Sequence, residues 1–158
     1  MSYFLCIGMP CDHPEVVRNA FDRRVSLLNC YNMPIGAAIH ARNENWHSWL
    51  VVYGSSSASL VGPGSRKRRS GNDHSELLYE GLATLLRQDS KLVILLMLHW
   101  FHGDLNAESV LPIAEETVDI THIEAMTRGE FDIRADVLYK LCLHTPTPAK
   151  RADWRFYG

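Results

Sequence analysis

The chain has 158 residues, 46% of them apolar and 22% charged, with a formal net charge of −2. This profile predicts one globular domain over residues 1–158 with a buried core, and it argues against a second domain. The longest apolar run, Leu92 to Leu98, is far short of the roughly 20 residues a membrane-crossing helix needs, and the start MSYFLCIGMPCDHPE lacks a leader's basic start and small-residue cleavage site. The expectation is a soluble cytoplasmic protein.

SYFLCIGMP is predicted as the first strand, bounded by Gly8 and Pro10. Asp12 and Glu15 form a D-x-x-E capping box, and Val16, Val17, Ala20 and Phe21 give the following helix one apolar face, ending near Arg24. VSLLNCY, PIGAAIHA and HSWLVVYG are predicted as three strands of a hairpin or meander. The Ser- and Gly-rich segment 54–72, which contains four consecutive cations, reads as a flexible loop.

Asp73 and Glu76 repeat the capping box, and Leu77, Leu78, Leu82, Leu85 and Leu86 form a helical apolar stripe reaching about Gln88. KLVILLMLHWF is apolar at both alternating sets of positions, as a central strand covered on each side should be. ETVDITHI alternates and reads as a strand with one wet face. From about Asp132, Val137, Leu138, Leu141 and Cys142 suggest a third helix ended by TPTP, and residues 145–158 form an irregular tail. The predicted order is β-α-β-β-β-α-β-β-α, an α/β or α+β sandwich with a mixed sheet and about three helices.

Cys6, Cys11, Cys30 and Cys142 contain no C-x-x-C pair, so reduced thiols are expected. Cys11 is the strongest nucleophile candidate by position, because a helix N-terminus lowers a thiol pKa and helps hold an oxyanion. Six residues separate it from Arg18, where a phosphatase-type loop needs five with glycines among them. GSSSA, Gly54 to Ala58, follows a strand as a serine elbow would, but it runs into Ser-Leu-Val-Gly-Pro-Gly rather than a helix.

Among the eight histidines, His99 and His102 are three apart and face opposite ways on a strand, so no metal site and no cofactor are expected. A cluster of His99, His102 and Asp104 at the end of the central strand is the remaining site guess. Arg66, Lys67, Arg68 and Arg69 stand ahead of a helix start, where an anion would fit. Yet the segment is not a P-loop, and a hydrated connection is the simpler reading.

Residues 1–72 carry eight Lys/Arg against four Asp/Glu, and residues 73–158 carry eight against fourteen. Asp104, Glu108, Glu115, Glu116, Asp119 and Glu124, together with Glu130 and Asp132, crowd a stretch whose sole cation is Arg128. Such a field attracts a basic partner and repels nucleic acid. The expected function is therefore a small protein-binding module, of inhibitor or immunity type, that neutralises a basic partner such as a toxin enzyme. Trp154, Phe156 and Tyr157 are added as candidate anchors. The alternative is an enzyme or binding domain for an anionic small molecule, using Cys11 and the Arg66 to Arg69 loop.

Overall fold

The computed structural model describes residues 2–10, 13–61 and 74–144. Their elements run β1 (Ser2–Met9), α1 (Pro14–Ala20), β2 (Ser26–Asn29), α2 (Pro34–His40), β3 (His47–Val52), α3 (Ser75–Gln88), β4 (Ile94–Phe101), β5 (Ala114–Asp119), α4 (Ile120–Thr127) and β6 (Val137–Cys142). The six strands form one mixed sheet in the order β2-β3-β1-β4-β6-β5. All neighbours are antiparallel except β5 and β6. The fold is α+β with a mixed sheet, as expected.

Strand alternation divides the core in two. Leu5, Ile7 and Met9 of β1 and Ile94, Leu96 and Leu98 of β4 point to one face, where Val17, the α3 leucines, and Ile123 and Met126 of α4 cover them. Cys6, Leu50, Leu95, Met97 and Phe101 point to the other face, under Ile35, Ala38 and Ile39 of α2 and Val110 of the segment after β4. β4 lies between β1 and β6 with both faces covered, which is why its sequence shows no alternation.

Three elements differ from expectation. PIGAAIHA is not a strand but α2: Pro34 stands at the first helical turn, and Ile35, Ala38 and Ile39 fall on one face at helical spacing. ETVDITHI is strand only to Asp119, whose carboxylate accepts from Thr121 N at 3.0 Å while its own N–H donates to His122 Nδ1 at 3.2 Å, starting α4. The segment expected as a last helix is β6, paired on both sides and buried at Val137, Leu138, Tyr139 and Leu141. The order is thus β-α-β-α-β-α-β-β-α-β, with four helices among the described residues.

The capping residues Asp12 and Asp73 lie outside the described residues. Their helices begin at Pro14 and Ser75, with His13 and His74 at the N-cap positions. The first helix stops at Ala20, short of Arg24, because Asp22 and Arg23 turn left-handed at φ 53° and 56°. The described part of the Ser-rich stretch is tied to the sheet: Ser57 N donates to Tyr3 O at 3.0 Å, and Ser57, Leu60 and Val61 are buried.

Candidate functional site

The acidic stretch is spread over the segment after β4, β5, α4 and the segment after α4, and local cations or backbone engage most of its charge. Glu115 pairs with Arg42 beyond α2, and Glu116 pairs with Arg134. Glu124 meets Arg128 at 3.6 Å, one helical turn away, while Asp119 is the α4 cap. Asp104 accepts from Asn106 N at 2.8 Å and shapes the turn after β4. Exposed pairs of this kind each contribute about 0–1 kcal/mol, so an incoming cation can exchange with them at little cost.

Immediately before β5 the chain exposes two large aliphatic side chains. Leu111 is 75% and Ile113 78% accessible, whereas Val110 beside them is 5% accessible and belongs to the second core. β5 is the last strand of the sheet and pairs only with β6, so its outer backbone edge is open among the described residues. An apolar tip, an open strand edge and exchangeable carboxylates thus adjoin one another.

His99 lies near the end of β4 and is gripped from both sides. Its Nδ1 is 2.5 Å from Asp136 Oδ1 and its Nε2 is 3.2 Å from Glu108 Oε1. The other Glu108 oxygen accepts from His102 N at 3.0 Å, which fixes the turn. Burial alone would push the Glu108 carboxyl up, but the His102 N–H and the His99 ring outweigh it and hold the carboxyl below its ordinary value. Asp136 reaches this place in a left-handed conformation, φ 61°, with its N–H on Leu98 O and its carbonyl on Ile113 N, each at 2.7 Å.

His99 is therefore joined by Glu108 and Asp136 instead of His102 and Asp104. Both of its ring nitrogens face carboxylate oxygens. The cluster locks the segment 102–113 to the sheet and so positions Leu111 and Ile113. No group of three or more His, Cys, Asp or Glu side chains suited to a metal occurs among the described residues.

A second polar cluster, which composition and spacing do not reveal, lies beneath α2. Cys6 Sγ and Cys30 Sγ are 3.3 Å apart, and His40 Nε2 is 3.0 Å from Ser48 Oγ. The hydrogen bond between the thiols separates their ionisation: it pushes Cys6 well up, helped by burial, and draws Cys30 down, helped by Ser48 and opposed by burial. Burial lowers the His40 pKa against the opposite influence of the Asn43 and Glu44 backbone. His40 Nδ1 is buried without a hydrogen bond. A cavity of about 380 Å³ opens beside this cluster, with Asn29, Tyr31, Met33, Ser48 and Trp49 in its wall.

Cys11, Arg66, Lys67, Arg68, Arg69 and the tail aromatics Trp154, Phe156 and Tyr157 lie outside the described residues. Comparison with protein-family models, with curated proteins and with solved structures returns no match for the chain. No helix among the described residues is long and apolar enough to cross a membrane.

Proposed function

We propose that this protein is a binding module for a basic protein, which it engages through the tip at Leu111 to Ile113 and the adjoining edge of β5. The observation that carries this reading is the exposure of Leu111 and Ile113, 75% and 78%, on a segment held rigidly by the Glu108–His99–Asp136 cluster. Apolar anchors surrounded by polar groups are the usual source of binding energy at protein interfaces. The occupant is an extended, Lys- or Arg-bearing segment: its backbone pairs with the open edge, and its cations exchange onto Glu115 and Glu116.

In the inhibitory form of this reading, the segment belongs to the active surface of a basic enzyme such as a toxin, and covering it abolishes activity. The acidic field works here at close range, since Arg42, Arg134 and Arg128 offset much of it at a distance. The test is affinity capture from an extract of the protein's own cells, with nuclease treatment, comparing wild type with the Leu111→Asp, Ile113→Asp double variant. A basic protein retained stoichiometrically by the wild type and lost with the variant supports the proposal. Equal retention by both, or no basic protein retained by the wild type, overturns it.

A further inference from the structure

Cys6 and Cys30 are 24 residues apart, on β1 and just past the end of β2, yet their sulfurs are 3.3 Å from each other in the second core. A disulfide places its sulfurs about 2.05 Å apart, so bonding requires an approach of only about 1.3 Å. Both side chains are fully buried, which excludes bulky reagents and leaves small ones.

We infer that Cys6 and Cys30 form a dithiol centre that reacts with a small hydroperoxide, Cys30 attacking and Cys6 resolving. Two groups stand behind the attacking sulfur, Ser48 and His40. With the His40 proton on Nε2, that N–H donates to Ser48 Oγ at 3.0 Å, and the Ser48 hydroxyl is free to donate onward to Cys30. Ser48 and the shared hydrogen bond thus favour ionisation at Cys30 over Cys6. Asn29, Tyr31 and Ser48, which flank or neighbour Cys30, stand in the wall of the adjoining cavity, while Cys30 itself lies behind that wall, so a peroxide reaches it by passing between them.

The chemistry balances in two steps. The Cys30 thiolate attacks one peroxide oxygen, the O–O bond breaks, and Cys30 becomes a sulfenic acid as hydroxide or alkoxide leaves and takes up a proton. Cys6 then attacks the Cys30 sulfur, the S–O bond breaks, and water leaves with the thiol proton as the disulfide forms. The peroxide is reduced by two electrons and the two thiols are oxidised by two. A small dithiol returns the pair to its starting state by exchange.

The experiment treats the folded wild-type protein with hydrogen peroxide, blocks the remaining thiols, and maps the peptides without reduction. The expected product joins residues 1–18 to residues 25–42, with fragmentation placing the link at Cys6 rather than Cys11. Loss of Cys142 thiol should be at least tenfold slower, since burial and Asp119 both push its pKa up. In Cys6→Ala, a sulfenic acid should accumulate at Cys30 and be trapped when the oxidised protein is unfolded in the presence of dimedone; in Cys30→Ala, little should form at Cys6. Free Cys6 and Cys30 after Cys142 is fully oxidised, a link that forms only in urea, or equal trapping at Cys6 and Cys30 in the two variants would overturn the proposal. The wild-type mapping decides the matter even if a variant fails to fold.

Discussion

Gly36 lies so close to the main chain of Cys30 that a Cβ there would overlap the Cys30 carbonyl oxygen and stand 2.8 Å from its carbon. The same Cβ would meet Ser48 Oγ at 3.2 Å. This contact lets α2 settle onto the β2–β3 end of the sheet and brings His40 to Ser48. In an open helix, Gly→Ala stabilises by roughly 1 kcal/mol. Here the neighbour is backbone and cannot swing aside, so Gly36→Ala is expected to reverse the sign and cost about 1–3 kcal/mol through overpacking. A lower urea midpoint with unchanged slope checks this; a higher midpoint would mean that α2 stands off the sheet.

Ser57 offers a second test of how the segment after β3 is anchored. It is fully buried; its hydroxyl accepts from Leu5 N at 2.9 Å and donates to Val51 O. Ser57→Ala deprives two buried backbone groups of their partner, and a buried orphan of this kind costs about 1–3 kcal/mol. The loss should be accompanied by faster hydrogen exchange at the Leu5 amide. Unchanged exchange at Leu5 would show that the hydroxyl is not its acceptor.

These anchors also show where the sequence was legible and where it was not. Long or strongly marked elements could be read: the α3 leucines repeat at helical spacing, and β4 is apolar without a break from Ile94 to Leu98 because helices and loops cover both of its faces. The seven residues of α2 satisfy both periods, since Ile35, Ala37 and Ile39 alternate while Ile35, Ala38 and Ile39 share a helical face; only Pro34 at the first turn separates the two. β6 failed for the opposite reason. A strand buried on both faces has no alternation, and Val137, Leu138, Leu141 and Cys142 happen to fall at helical spacing. At the site, His99 and Glu108 were each singled out but not as partners, and Asp136 is 37 residues from His99. Cys6 meets Cys30 across strand pairings that only the folded sheet defines.

Glu108 gives the grip on His99 a pH dependence. Its folded-state pKa is lowered, because the His102 N–H and the His99 ring outweigh the opposing effect of burial. The folded state thus binds this proton less readily than the unfolded chain. Its contribution is fully present above the ordinary glutamate pKa of about 4.3 and is lost as pH falls through the lower folded value. Glu108→Gln should therefore lower Tm at neutral pH, with the gap from wild type narrowing as the solution is acidified through that window. Thermal unfolding at a series of pH values reads the gap directly; a constant gap would assign the carboxylate a purely steric role.

The neighbours Val110 and Leu111 separate the core from the proposed contact surface. Val110 belongs to the buried cluster that includes Ile35, Leu95 and Leu138, whereas Leu111 and Ile113 are exposed. Removing buried methyl groups costs transfer free energy plus a cavity term, so Val110→Ala should destabilise by roughly 1–3 kcal/mol. Leu111→Ser and Ile113→Ser should each change stability by less than about 0.5 kcal/mol, as exposed substitutions do. A binding defect in these two variants then reports on the surface alone, whereas one in Val110→Ala mixes surface with fold. If Ile113→Ser instead unfolds the protein as easily as Val110→Ala, Ile113 belongs to the protein's own packing, and the apolar tip is no longer available to anchor a partner.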